Sequence, residues 1–501
     1  MLREISLTTT LKLPTGLLPA GWKKRFVEQR EKGEPLLLRL SLRDLFKTRV
    51  ARYLGFMGLT SVHVGLDDTD SPLGLCTTFV ALAIVREASR IGAGFADLPY
   101  LVRLNPNVPL KTRGNGAVAI HFLVEEELVP RVEEAVVRAL DDLSERHGKT
   151  DPAAILVKGD VPRAFRSVYL RALTEFIPSS YVRSVLERFK GESVKLLYSR
   201  SKRPRGLVGA VASLGAYPLE DYTYELIVYR SPEERSESRD ISEDLLLELD
   251  RKYRPLVFAT YDYSSRRVLA VPHGPDPVIF GLRSLDPEIL VNVAVDVLEK
   301  ISHAGYLLFK TNQGTSAHLQ RYKPVALVRP YDSVVVRGSV AEKPTVISGG
   351  HVIVNVCDET GCLQIAFYKE TGRLNRVAKL LSRGDLVEVG GGVMKKDGLV
   401  LNAEYLRLIK PALNVKRLNP LCPKCGSRMT SAGKGKGYKC PKCGYRAKEA
   451  AKIYRVAPRT LEPGTYFQSP SAYRHLTKPP EILGLRPVDA TKVLLSGMWF
   501  M

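Results

Sequence analysis

Two Cys-Pro-Lys-Cys pairs, Cys422/Cys425 and Cys440/Cys443, stand fourteen residues apart, and each second cysteine precedes a glycine that permits a tight thiolate knuckle. Four soft thiolates in a tetrahedron suit zinc, and a site with no open position is structural, not catalytic. From Cys422 to Arg459 eleven Lys or Arg face the single acidic Glu449. With its ion the module therefore carries about +8, enough to grip phosphates. Tyr438, Tyr445 and Tyr454 interleave with those cations and can either stack unpaired bases or pack the module's own core.

A second constellation is the loop Gly-Leu-Asp67-Asp68-Thr-Asp70-Ser at the end of an apolar strand. Three like charges so close cost stability unless cations neutralise them, and hard carboxylate oxygens suit Mg2+. Magnesium usually takes one or two carboxylates and completes its shell with water and substrate phosphates, which points to a nucleoside triphosphate. Gly74, Thr77 and Thr78 follow at the start of a helical pattern, where the N-terminus favours anions. The competing reading is local: aspartates initiate turns, and Thr77 could be a helix cap.

Two basic turns complete the set. Arg103-Leu-Asn-Pro-Asn-Val-Pro-Leu-Lys111-Thr-Arg113-Gly-Asn115-Gly alternates cations and amides with residues that bend the chain near a ligand, and Lys202-Arg-Pro-Arg205-Gly206-Leu-Val-Gly repeats the theme. Lys111 and Arg113 are candidate phosphate clamps, and Arg103, Asn115, Arg205 and Gly206 join them as the nucleotide-binding candidates. Neither turn is a Walker A loop, and a solvated basic face is the alternative.

The elements that must carry these groups divide a 501-residue chain into several domains. Residues 1–56 form a basic extension with no export signal; Met57, directly before the first strand, is a candidate start, and Ser41 to Leu54 reads as a basic helix. Residues 57–222 read as the catalytic domain: strand SVHVGL, the acidic loop, helix CTTFVALAIVREASRIG, a helix from Pro130 to His147 and the strand-like LVGAVASLGA. Residues 223–328 read as an α+β domain, with strands ELIVYR, VLAVP, VIFGL and YLLFKT and one long helix. Residues 329–412 give three strands, a helix and two strands, the order of an OB-fold barrel. The ribbon occupies 413–460 and a Pro-rich, aromatic tail 461–501. Cys76, Cys357 and Cys362 lack ligand spacing and read as buried thiols.

A net charge of +22 favours a polyanionic partner, while 45% hydrophobic content excludes wholesale disorder, and no apolar run spans a bilayer. Few cysteines, most of them in metal pairs, place the chain in a reducing compartment, the cytoplasm.

The motifs GLDDTDSPLGLCTT, RLNPNVPLKTRGNGA, RGLVGAVASLGA and YELIVYR, then the OB pattern, the ribbon and SPSAYRHLTKP, follow one another in a single order. Together they closely resemble the archaeal isoleucine-tRNA 2-agmatinylcytidine synthetases, over about Ser61 to His475. The resemblance implies a kinase-like catalytic domain, a ferredoxin-like domain, an OB-fold and a zinc ribbon in a monomer that uses ATP. It implies phosphorylation of the C2 oxygen of the wobble cytidine in a minor isoleucine tRNA with a CAU anticodon. Agmatine then displaces phosphate, AMP and phosphate are released, and decoding moves from AUG to AUA. On this resemblance Asp67, Asp68 and Asp70 hold Mg2+ and ATP phosphates, and Thr77 matches an autophosphorylated threonine.

Agmatine carries a guanidinium and an amine that must be neutral to attack, so its pocket needs a carboxylate; Asp221 and Glu225 are candidates. Two rivals stand beside this. A non-enzymatic tRNA or single-strand binder explains the charge but leaves the aspartates idle. Another ATP-dependent tRNA enzyme, such as a nucleotidyl transferase, would also want carboxylates on metal.

Overall fold

The computed structural model describes residues 58–501, apart from 110, 112, 113, 147–149, 203, 232, 235–238 and 240. The helix expected over Ser41 to Leu54 and the side chain of Arg113 lie outside the described residues.

Strand β1 (Leu59–Asp67) is buried from Val62 to Leu66. Its side chains alternate: Val62, Val64 and Leu66 enter one core, while Gly65 faces a helix on the opposite side. The elements that follow are α1 (Thr77–Arg90), β2 (Tyr100–Arg103), β3 (Gly116–Glu125), α2 (Val129–Leu143), β4 (Ala153–Lys158), α3 (Arg163–Thr174), α4 (Ser179–Glu187), β5 (Val194–Ser199) and α5 (Leu207–Gly215). Next come β6 (Thr223–Tyr229), α6 (Glu243–Tyr253), β7 (Val278–Ser284), α7 (Pro287–Leu298) and β8 (Gly305–Thr311). These strands make one sheet in the order β5-β4-β1-β3-β2-β8-β6-β7. Every neighbour in that order is antiparallel except β2 and β8, which run parallel with Lys310 opposite Tyr100. The α+β segment therefore continues the sheet of the first segment, and the cleft between them opens beside that parallel pair.

Helix α2 shows why such segments fold as they do. Val129, Val132, Val136 and Leu140 recur at helical spacing and are buried, while its charged face is solvated. LVGAVASLGA, expected as strand-like, is helix α5. Eight of its nine residues are buried, so it has no polar face, and an apolar run of that length carries no period to separate helix from strand. The strand expected at VLAVP shrinks to Arg267–Val268, paired with Tyr261–Asp262, and α6 is an element that the sequence pattern did not suggest.

The expected barrel is present. Strands β9 (Ser333–Val340), β10 (Val352–Asp358), β11 (Gly361–Phe367), β12 (Leu386–Lys395) and β13 (Leu399–Lys410) close in the order β9-β12-β13-β11-β10, with β10 returning to β9. A short helix, α8 (Arg373–Ala378), separates β11 from β12. Cys357 and Cys362 are not separate buried thiols: they lie opposite each other on the β10–β11 hairpin and form a disulfide. Cys76 is a partly buried thiol outside any disulfide, 3.0 Å from Thr78 Oγ1.

Beyond the barrel, β14 (Val415–Leu418) and β15 (Ile453–Val456) form a two-stranded stem from which the ribbon projects. The C-terminal tail is built into the body. Gly464–Phe467 adds to β13, and Trp499 is buried against Phe95 while its carbonyl accepts from Leu308 N. Among the described residues no helix is long and apolar enough to cross a membrane.

Candidate active site

The acidic loop begins where β1 ends, and α5 fixes its first carboxylate. Side-chain carbons on Gly65, Gly206 and Gly209 would stand 2.1 Å from Ala210 O, 2.6 Å from Asp67 O and 1.9 Å from Asp67 Oδ2. Only glycines let α5 lie this close to β1. Asp67 is partly buried there, and burial, with Asp68 beside it, pushes its carboxyl well above the usual carboxylate range. Gly209→Ala tests the packing. Alanine would ordinarily favour a helix by about 1 kcal/mol, but here it collides with Asp67, so we expect a net loss of about 1–3 kcal/mol in stability by denaturant melts. Turnover should fall with it.

Asp68 follows with φ of +61°, a left-handed conformation that aspartate tolerates better than most residues and that turns its carboxylate toward α5. Arg205 grips that carboxylate through Nε (3.2 Å to Oδ2) and Nη2 (3.1 Å to Oδ1), and Asp151 N donates to Oδ2 at 3.2 Å. Burial raises Asp68 to about 6 against the opposing pull of Arg205. Asp151 in turn accepts from Ser201 Oγ and Arg205 N, so the second basic turn is tied to the acidic loop. The next residues leave in another direction. Thr69 Oγ1 donates to Thr77 Oγ1 at 3.0 Å, Thr150 Oγ1 holds the Asp70 carbonyl at 3.0 Å, and α1 starts at Thr77 with Cys76, not Thr77, at its cap.

The sequence-predicted residues thus divide between two clefts. Asp67, Asp68, Lys111 and Arg205 line one of about 300 Å3, whose far wall is apolar: Leu104, Val108, Ala172, Phe176 and Ile177. Asp70, Thr77 and Arg103 line a second of about 330 Å3 together with Glu225, Asp276 and Arg283. Asn115 borders both, held with φ of +50° by its side-chain bond to Asn105 O. Gly206 touches neither and serves as the close-packing residue beneath Asp67. Asp221 lies outside both clefts, whereas Glu225 is buried in the second, accepting from Arg283 Nε at 3.2 Å and from Gln313 Nε2.

A third opening of about 580 Å3 adjoins the other two and is lined by cations, among them Arg103, Lys111, Arg267, Arg283 and Arg474. Sequence reasoning missed Arg267, Arg283, Arg474 and His475; the last two belong to SPSAYRHLTKP, whose chemistry gave no local motif. Among the described residues only Cys422, Cys425, Cys440 and Cys443 bring three or more ligating atoms within 4.8 Å of one another. The three aspartates do not converge on one point, which fits an ion held by one or two carboxylates plus substrate oxygens.

A catalytic α/β sheet with carboxylates and arginines in its cleft, joined to an OB barrel and a zinc ribbon, defines an enzyme class that works on nucleic acid. Family models give the same order: the TiaS TCKD domain over 63–197, the TiaS FLD domain over 204–318, an OB-fold nucleic acid binding domain over 334–409 and the TiaS C-terminal zinc ribbon domain over 419–461. The chain is 38% identical to the isoleucine-tRNA 2-agmatinylcytidine synthetase TiaS of Pyrococcus horikoshii, across 83% of this chain and 96% of that one. It is 41% identical to that of Staphylothermus marinus, across 84% and 93%. The crystal structure of apo TiaS superposes with a TM-score of 0.73 at 33% identity, covering 86% of this chain and all of that one. A TiaS complex with its isoleucine tRNA, AMPCPP and agmatine gives 0.72 at 31%, covering 85% and 98%. This chain belongs to the TiaS family of isoleucine-tRNA 2-agmatinylcytidine synthetases.

Proposed function

We propose that this chain converts the wobble cytidine of the minor isoleucine tRNA to 2-agmatinylcytidine, consuming ATP and agmatine, as a cytoplasmic monomer. The observation that carries the reading is the meeting of three chemically different clefts at one loop, residues 103–116. The first cleft suits a nucleotide: apolar walls for the base, with Lys111 and Arg205 for phosphate. Asp67, with nucleotide phosphates, would hold Mg2+, which supplies neutralisation of phosphoryl charge. Asp68 holds the Arg205 guanidinium in an ion pair at the wall of this cleft. The second cleft offers Glu225, Asp70 and Asp276 to the cationic end of agmatine, and its burial favours the neutral amine needed for attack. Thr77, the first residue of α1, lines the same cleft as Asp70, and its hydroxyl would take the phosphoryl group. The third, cationic cleft receives the flipped cytidine and its flanking phosphates.

The chemistry asks little of the protein beyond position and charge. The cytidine C2 oxygen is a poor leaving group until phosphorylated, and arginines near it stabilise the charge that moves. The direct test is incubation with ATP, Mg2+, agmatine and CAU-anticodon tRNA, followed by nucleoside mass analysis. We expect an agmatine-sized adduct on the wobble cytidine that requires both ATP and agmatine. Tight tRNA binding with no adduct, or nucleotide addition instead, would overturn the reading.

A further inference from the structure

The loop that borders all three clefts is held from behind by the barrel. Pro106 lines the third cleft, Val108 the first and Lys111 both, while Asn107 among them is buried and lines none of the three. Its side chain reaches across to Ser333 and Gly392, which lie opposite each other on β9 and β12. Asn107 Nδ2 donates to Ser333 Oγ at 2.9 Å and to Asn105 Oδ1 at 3.1 Å, and Arg474 Nη1 donates to Asn107 Oδ1 at 2.6 Å. A guanidinium can only donate, so the amide has one orientation, with its oxygen toward Arg474. A side-chain carbon on Gly392 would stand 2.0 Å from Asn107 Oδ1 and 2.4 Å from both Cγ and Nδ2. Only glycine at this point of the barrel lets the amide lie against the strand.

Asn105 completes the anchor. It is fully buried; its Oδ1 accepts from Asn107 N at 3.0 Å and from Ser333 Oγ at 3.1 Å, and its Nδ2 donates to the Tyr331 carbonyl at 2.7 Å. Tyr331 holds a left-handed φ of +68°, uncommon for a bulky residue. Asn115 Nδ2 returns to the Asn105 carbonyl at 2.8 Å, so both ends of the loop close on one residue. Arg474 is placed in turn by Glu404 of β13, whose buried carboxylate lies 3.7 Å from Arg474 Nε and 3.0 Å from His318 Nε2. Every side-chain polar atom of Asn105, Asn107 and Ser333 has a partner. A buried polar set satisfied in this way is rigid and specifies one arrangement.

We propose that Asn107 is a positioning residue, clamped between Gly392 and Arg474, through which the OB barrel sets the nucleotide cleft in register with the cationic cleft. This rests on the function proposed above. Phosphoryl transfer needs the attacking and leaving oxygens roughly in line across the moving group, and here the two reactants enter different clefts joined by loop 103–116. A misplacement of about 1 Å in such an arrangement can cost about a hundredfold in rate. Asn107 touches no reactant; it acts through Lys111 and Asn115, which share its loop. Releasing the amide shifts that loop and leaves the outer surfaces of the barrel and ribbon where they were. The clamp therefore predicts lost turnover with tRNA affinity kept.

The test compares wild type with Asn107→Ala, Gly392→Ala and the double variant, following adduct formation, tRNA binding and hydrogen exchange of the loop. Each single variant should lose roughly tenfold to a hundredfold in kcat, with tRNA affinity within about threefold. The Leu104 and Asn105 amides, bonded to Asn115 O and Ala172 O, should exchange faster while β11 and β13 keep their protection. A merely structural role would lower the melting temperature and leave kcat of the folded protein unchanged. The double variant separates one clamp from two independent injuries. With the amide gone, the Gly392 methyl loses the atoms that it would strike, so kcat should match Asn107→Ala instead of falling by the product of both losses. Wild-type kcat in either single variant, losses that multiply, or a tRNA affinity that falls as far as kcat would overturn the proposal. No adduct from wild type would overturn the function instead, and unchanged loop exchange would then overturn the clamp separately. Should Asn107→Ala not fold, Ser333→Ala removes one acceptor beneath the amide and should lose about fivefold in kcat with tRNA affinity kept; an unchanged kcat there would equally overturn the proposal.

Discussion

Asp67→Asn is expected to slow agmatinyl transfer by roughly a thousandfold, about 4 kcal/mol at the transition state, while the ligand-free protein melts no lower than wild type. Both halves have one cause. The Asp67 carboxyl is pressed against Gly209 with Asp68 beside it, and burial raises its pKa well above the usual carboxylate range. A raised acid pKa means that the fold prefers the neutral form. The ionised group therefore costs stability at neutral pH, and that cost is relieved as pH falls through the folded value. Asparagine has nearly the same shape and no charge, so it removes the cost without opening a cavity. It cannot offset a cation or help place triphosphate oxygens. Nucleoside mass analysis at saturating ATP, paired with calorimetry of the free protein, checks both halves. Wild-type turnover would remove Asp67 from the chemistry, and lost activity together with a much lower melting temperature would make the residue structural.

What the sequence disclosed tracks how local each signal is. The zinc knuckles and the barrel order were readable because ligand spacing and strand alternation are properties of short windows. The acidic loop was readable as a cluster, yet its division was not. The left-handed turn at Asp68 sends Asp67 and Asp68 to one cleft and Asp70 to another, and no spacing rule reports a dihedral angle. Arg205 stood out as part of a basic turn, but its partner lies 137 residues away. His475 is harder still: its ring meets Arg283, 192 residues distant, and Gly114 at the far end of another loop. Helix α5 was misread because complete burial erases the polar face on which period depends. Glu225 was named only as one of two carboxylates that agmatine could use, and its bonds to Arg283 and Gln313 required β6 to be aligned with β7 and with the end of β8.

Cys440→Ser is expected to abolish zinc binding by the ribbon and to weaken tRNA binding by about tenfold or more at physiological salt. The ribbon has almost no core of its own: Cys422, Met429 and Cys440 are its fully buried side chains, helped by a few part-buried neighbours. So small a cluster cannot offset the entropy of ordering the rest of the ribbon, so the ion must supply the folding energy. The cysteine geometry is ready for it. Cys422 Sγ lies 3.5 Å from Cys443 Sγ, and Cys425 Sγ lies 3.4 Å from Cys440 Sγ. Gly426 and Gly444 both adopt left-handed turns and donate to the carbonyls of Cys422 and Cys440, so the two knuckles are built alike. Serine keeps the size but not the thiolate, so the ribbon should open while the sheet and barrel, which share no core with it, keep their melting transition. Eleven cations then lose their common frame. The salt dependence of tRNA binding should become shallower, by about 0.7–0.9 in log-log slope for each phosphate that the ribbon ceases to neutralise. Metal analysis and binding titrations from low to high salt measure both effects. Full zinc content in the variant would remove Cys440 from the ligand set, and an unchanged salt slope would separate the ribbon from RNA.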